Sequence, residues 1–199
     1  VFSVDFDDAA TGKYSESDYD DQWPDAVWLH GLKQGRGTVV QNPDDMSDRV
    51  LKVDYPADKY GPQDQGVQWI VPFDSEYDEL YLRYRIRFEK GFEFVKGGKL
   101  PGLFGGSGNT GGEVPDGTDG WSARMMWRRG GQVVQYVYHP DQPGKYGEDF
   151  EWRQNGQELT FQPGQWHTVQ HRIVINTPGK TDGRIQTWFD GKPALDAQN

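Results

Sequence analysis

Residues 96–103 (KGGKLPGL) set Lys96 and Lys99 among glycines, residues 121–129 (WSARMMWRR) carry Ser122 and Arg124, and residues 132–140 (QVVQYVYHP) carry Tyr136 and Tyr138. An amine, a guanidinium and a pair of phenols offer a base, a partner for a carboxylate and a proton donor. An amine becomes a useful base only when its pKa falls from ~10.4 toward working pH, which burial or neighbouring cations bring about. Lys99 has Lys96 close in sequence, and a nearby Arg124 would add to the effect. The planar fork of Arg124 suits two parallel hydrogen bonds to one carboxylate. These stretches lie apart along the chain, so the fold must converge them.

The elements that would do so read as strands. Residues 121–128 alternate, with Trp121, Ala123, Met125 and Trp127 on one face and Ser122, Arg124, Met126 and Arg128 on the other. Gly130-Gly131 makes a two-residue hairpin, and residues 132–139 return. Antiparallel pairing there places Tyr136 and Tyr138 across from Ser122 and Arg124. Residues 80–88 (LYLRYRIRF) give the clearest period of two: Leu82, Tyr84, Ile86 and Phe88 point one way, and Arg83, Arg85 and Arg87 the other. That arginine row is either a solvated face with acidic partners across the sheet or the floor of a cationic groove. On the second reading Arg85 is a substrate-binding candidate, as is Lys96.

Further strands are expected at residues 1–6, across 37–55 on either side of a turn at NPDDMSD, at 67–73, in a hairpin turned at Asn155-Gly156, at 165–175, and at 184–195 with an Asp190-Gly191 turn. Residues 96–112 are too glycine-rich for a regular element on this reading. They lack the GxxxxGK[ST] arrangement of a phosphate loop. No amphipathic helix stands out. The fold class is therefore all-β: an antiparallel β-sandwich of jelly-roll type, one concave sheet serving as the substrate groove. A single domain of 199 residues fits such a sandwich.

Composition narrows the function. With 21 Lys+Arg against 31 Asp+Glu the net charge is −10, which argues against nucleic acid or an acidic membrane as partner. A local basic cleft still works beneath an acidic exterior, because screening confines surface fields to ~8 Å. The chain has no cysteine, so thiolate and disulfide chemistry are excluded. No apolar run approaches the ~20 residues that span a bilayer. The start at Val1 shows no signal-peptide pattern, so such a segment was removed or never present. Asp5, Asp7, Asp8, Asp18, Asp20 and Asp21 offer oxygen ligands for calcium, but without EF-hand spacing they read as a solvated loop. The four histidines lack metal-ligand spacing, and no metal or cofactor is expected. His171 reads as a core or edge residue and His139 as structural.

The segments KGGKLPGL (96–103), WSARMMWR (121–128), YVYHP (136–140) and WFDGKPAL (188–195), with the opening VFSVDFDDAATGKY, resemble polysaccharide lyase family 14, the jelly-roll alginate and glucuronan lyases. The resemblance spans nearly the whole chain. It implies a secreted enzyme that cleaves an anionic polysaccharide by β-elimination and leaves an unsaturated uronate end. It further implies Lys99 and one of Tyr136 or Tyr138 in the chemistry, with Ser122 and Arg124 contacting substrate. Such domains continue past WFDGKPAL with strands that close the sandwich, whereas this sequence stops at Asn199. The expectation is a domain lacking its closing strands, which a second polypeptide would supply.

Two rivals remain at this level. A glycoside hydrolase needs paired carboxylates on one strand face, and Glu76 with Asp78 is the nearest such pair. A non-catalytic carbohydrate-binding module would use the same tryptophans and tyrosines for stacking on sugars.

Overall fold

The computed structural model describes residues 2–61 and 63–198. They fall into two compact units, Val1–Glu76 and Tyr77–Asn199.

The first unit holds β1 (Gly12–Lys13), α1 (Glu16–Gln22), β2 (Val27–His30), β3 (Gly37–Asn42), β4 (Asp45–Val53) and β5 (Gln68–Ile70). β1, β3 and β4 form one antiparallel sheet, and β2 pairs with β5. The strand expected at residues 1–6 is not formed over 2–6; position 1 lies outside the described residues. The apolar side chains there pack rings instead of pairing backbone: Phe2 lies 5.5 Å from Trp23, and Phe6 meets Tyr14 edge-on at 5.7 Å. The acidic loop expected next contains α1. Ser15 Oγ accepts the Asp18 N–H at 3.0 Å while Asp18 Oδ2 accepts the Ser15 N–H at 3.2 Å, a reciprocal cap that satisfies two otherwise orphaned donors. Glu16 and Asp18 also suit the positive end of the helix dipole. The helix buries Tyr19 in a core with Ala9, Tyr14, Leu32 and Val39. Asp7 accepts the backbone N–H of Arg49 at 2.8 Å, so this aspartate and Asp18 serve local structure.

The second unit is the sandwich. Its strands are β6 (Glu79–Arg87), β7 (Gly97–Gly106), β8 (Gly120–Arg128), β9 (Val133–Tyr138), β10 (Glu148–Glu151), β11 (Arg153–Gln154), β12 (Gln157–Glu158), β13 (Trp166–Val174), β14 (Arg184–Phe189) and β15 (Lys192–Gln198). Two four-stranded sheets are ordered β10-β9-β8-β7 and β15-β14-β13-β6, and all their pairings are antiparallel. Between them, Ala123 and Val137 of one sheet cluster with Ile173 of the other, joined by Leu103, Trp121, Phe150 and Ile185. Phe88 packs among Phe92, Phe94, Trp127 and Phe161 at centroid distances of 4.8–5.3 Å. The Asn155-Gly156 turn expected between β11 and β12 is present, with φ of 51° and 78°, the mirror-image turn that matches strand twist.

The glycine-rich stretch is the main departure from the sequence reading, because residues 97–106 form a strand. Its glycines answer the tryptophans opposite. Gly98 faces Trp127 and Gly105 faces Trp121 across the β7–β8 ladder. A Cβ on Gly98 would sit 2.0 Å from the Trp127 ring, and one on Gly105 would sit 2.6 Å from Trp121 Nε1. Glycine here makes room for a large partner; it does not loosen the chain.

Candidate active site

β7, β8 and β9 bring the candidate residues to one surface. The inner residues of β8 and β9 are Ala123 and Val137, so their neighbours Ser122, Arg124, Met126, Tyr136 and Tyr138 project from the other side of the sheet. Ser122 pairs with Tyr138 and Arg124 with Tyr136. On β7, Lys99 pairs with Met126 and Gly102 with Arg124. Three steps along β7 thus match two along β8, a bulge at Leu100-Pro101. Pro101 has no N–H for the ladder, and a bulge is where a strand can carry such a residue and re-aim a side chain. Lys99 consequently lies diagonal to Arg124 and Tyr136, its Nζ 6.0 Å from the Tyr136 ring centroid.

A loop over residues 107–119 completes the surface. Asn109, buried at its base, donates to Asp119 Oδ2 at 2.7 Å and accepts from Ser107 Oγ at 2.9 Å. The Asn109 carbonyl accepts the Ser122 hydroxyl at 2.6 Å, and Ser122 Oγ accepts Arg124 Nη1 at 2.9 Å. Ser122 therefore orients the guanidinium and has its own proton committed to the loop. From the same loop Thr110 Oγ1 lies 3.5 Å from Lys99 Nζ, and the Gly112 N–H donates to Tyr138 Oη at 3.1 Å.

Electrostatics follow from this crowding. Lys99 stays exposed, as a base must, yet its pKa is lowered, first by loss of water around the amine and then by the positive charges of Arg124 and Arg128. Burial also lowers the pKa of Arg124. Tyr136 moves the opposite way: burial, then the hydrogen bond with Tyr138, pushes it up to about 12. The two rings meet at 89° with their oxygens 3.5 Å apart. Arg128 lies 5.1 Å from the Tyr136 ring centroid and is held there by two hydrogen bonds to Asp149, at 2.8 and 2.6 Å.

Of the residues singled out from the sequence, Lys99, Ser122, Arg124, Tyr136 and Tyr138 share this surface. Lys96 is exposed at the bend leading into β7, beyond the Gly97–Arg128 pair. Arg85 lies elsewhere. It pairs with Thr168 on β13 in the other sheet, on the face opposite to buried Val169 and His171. The sandwich core lies between it and Arg124. Strand alternation gave its parity, but parity says nothing about which sheet a strand joins. His139 contacts Glu148 at 2.9 Å, and His171 is fully buried, with Nδ1 3.1 Å from Gln135 Oε1. Sequence reasoning missed Asn109, Thr110 and Gly112, which sit in a loop without periodicity. It had Met126 and Arg128 on the correct face but gave them no role. Among the described residues no group of three or more His, Cys, Asp or Glu is placed to hold a metal ion.

An accessible amine of lowered pKa, a guanidinium fixed by a serine and a phenol that keeps its proton can act on one small region of a ligand. Comparison with known proteins gives the same direction. The chain superimposes on the alginate lyase Aly36B with a TM-score of 0.83 at 28% identity, over 99% of this chain and 78% of that one. For the marine PL-14 alginate lyase of Aplysia kurodai the values are 0.73 and 25%, over 95% and 82%. An endo-β-1,4-glucuronan lyase of the fungus Trichoderma reesei shares the fold, with a TM-score of 0.55 at 18% identity over 94% and 74%. No curated protein sequence matches significantly. The model of the polysaccharide lyase 14 family matches residues 43–199, across the boundary between the two units, and the chain belongs to that family.

Proposed function

We propose that this lyase cleaves a polyuronate, alginate in its mannuronate blocks, by syn β-elimination. The observation that carries the proposal is the convergence of Lys99, Arg124 and Tyr136 on one side of one sheet. A C5 hydrogen is a weak acid, and its acidity rises when the adjacent carboxylate is neutralised. Arg124, held by Ser122, binds that carboxylate. Lys99 takes the C5 proton, its lowered pKa making the free amine available nearer to neutral pH. The electron pair forms the C4–C5 double bond and expels the C4 oxygen, which takes a proton from Tyr136. At a pKa of about 12, Tyr136 remains protonated at any ordinary working pH. Tyr138, anchored by Gly112, holds the Tyr136 phenol in place.

In β-D-mannuronate and β-D-glucuronate the C5 hydrogen and the C4 oxygen lie on the same ring face. A base and an acid that project from a single sheet suit that stereochemistry. Two comparisons support the alginate reading: Aly36B has been solved with alginate tetrasaccharide in a variant lacking a lysine and a tyrosine, and with alginate trisaccharide in one lacking a lysine and a methionine. Polyuronates are extracellular polymers, so the reading puts this enzyme outside the cell.

The test is ultraviolet absorbance of the new double bond, measured side by side on poly-mannuronate, poly-guluronate and glucuronan. Product should form fastest from poly-mannuronate and cease with Lys99→Ala. Reducing ends released without that absorbance would indicate hydrolysis and sink the proposal.

A further inference from the structure

The outward face of the β6, β13, β14 and β15 sheet takes no part in the chemistry above, yet it is furnished for a ligand. Tyr81, Arg83, Arg85 and Arg87 alternate along β6, about 6.7 Å between successive side chains. They pair with Arg172, Gln170, Thr168 and Trp166 of β13, and Gln170 pairs in turn with Trp188 of β14. Arg83, Thr168, Gln170, Trp188, Asp190 and Gly191 line a depression of about 520 Å³.

The charges on this face are arranged for an acidic ligand. Its carboxylates are already engaged. Glu79 makes two hydrogen bonds to Arg172, at 2.7 and 2.8 Å, and Asp196 two to Arg184, at 2.7 and 2.6 Å. Asp190 meets His167 at 2.9 Å and the Thr168 N–H at 2.8 Å. Arg85 lies over the Trp166 ring, 4.9 Å from its centroid. Arg83 makes no hydrogen bond or ion pair with a described residue, and it is exposed at the rim of the depression. A protein of net charge −10 therefore keeps an uncommitted guanidinium beside a half-buried tryptophan and a glutamine amide. Those groups recognise, respectively, a carboxylate, the apolar face of a pyranose ring and a hydroxyl.

We propose that this face is a second binding site for an anionic polysaccharide, holding a stretch of polyuronate away from the catalytic sheet, with Arg83 on a carboxylate and Trp188 against a sugar ring. The proposal rests on the polyuronate reading only for the identity of the polymer. Occupying two sites raises the effective concentration of a long chain at the catalytic one, and a short oligomer that reaches only one site gains nothing.

The test is affinity electrophoresis of the full chain through gels containing poly-mannuronate. Lys99→Ala/Arg124→Ala disables the catalytic surface and should still be retarded. Adding Arg83→Glu, an exposed change, or Trp188→Ala should weaken apparent binding by about ten-fold, with circular dichroism confirming the fold. In the otherwise unaltered enzyme Arg83→Glu should raise KM on the polymer by a similar factor, leaving kcat and the kinetics on a trisaccharide unchanged. Retardation abolished by Lys99→Ala/Arg124→Ala alone, indifferent to Arg83→Glu, or matched by polyglutamate, which has carboxylates but no sugar rings, would overturn the proposal. If no polyuronate yields unsaturated product while Arg83→Glu still removes retardation, the elimination mechanism fails and the second site stands.

Discussion

Acid should destabilise this enzyme through its sandwich core. His171 is fully buried between the sheets, opposite Gln135, and burial drives its pKa from 6.5 down to about 3. Among the described residues its Nε2 has no hydrogen-bond partner, so an imidazolium would have only the Gln135 Oε1 contact of Nδ1 to offset the loss of water. The folded state keeps His171 neutral while the unfolded chain protonates it near pH 6.5. Below that pH the unfolded state binds more protons, and stability falls with pH until the folded pKa is reached. At 1.36 kcal/mol per pH unit the full window amounts to about 5 kcal/mol. That is comparable with the entire stability of many domains. Between pH 6.5 and about pH 4.5 this group alone should remove about 3 kcal/mol. Urea unfolding of the wild type and of His171→Asn, which cannot titrate, isolates the effect: the difference between them should change by about 1.4 kcal/mol per pH unit. If the two proteins lose stability in parallel as pH falls, His171 is not the neutral buried group described here.

The remaining predictions concern the catalytic surface. Lys99→Met should abolish elimination yet stabilise the fold slightly, by under about 1 kcal/mol because the amine is accessible to water. Because the folded state holds the Lys99 pKa below 10.5, the cost of its charge is present at neutral pH and disappears as pH rises past 10.5, so the gain should shrink in alkali. Tyr136→Phe should lower kcat by about 10²–10⁴ with little change in KM; a larger loss from Tyr138→Phe would exchange the roles assigned to the two phenols. Asn109→Ala removes two part-buried hydrogen bonds, one to a carboxylate, worth about 2–4 kcal/mol together. Hydrogen exchange over residues 107–119 should quicken and kcat should fall, while the unfolding midpoint of the sandwich moves less; unchanged exchange in the loop would contradict the anchoring role.

The sequence carried the parity of the site and little of its neighbourhood. Alternation in WSARMMWRR and VVQYVY grouped Ser122 with Arg124 and Tyr136 with Tyr138, but a two-residue Gly130-Gly131 hairpin would have set Ser122 against His139; the longer turn over Arg129–Gly131 sets it against Tyr138, and Arg124 against Tyr136. The same logic sorted Arg83, Arg85 and Arg87 from Leu82, Tyr84 and Ile86. It could not reveal that β6 pairs with β13 and so turns the arginines away from Lys99, since strand pairing is a long-range property. Glycine misled in β7, where local propensity argues against a strand and the rings of Trp121 and Trp127 override it. The helix at Glu16–Gln22 is too short for a visible period, and its cap uses Asp18 where glutamate or glutamine is the usual signal. Thr110 and Gly112 reach Lys99 and Tyr138 from a loop, and a loop has no period to read.

The most direct test of the mechanism is a crystal structure of the Lys99→Ala variant with a bound oligomannuronate. One uronate should have its carboxylate on Arg124, its C5 hydrogen facing the position vacated by the lysine, and its C4 oxygen within hydrogen-bond reach of Tyr136. A sugar whose carboxylate avoids Arg124, or whose C5 hydrogen faces away from residue 99, would contradict the proposed elimination.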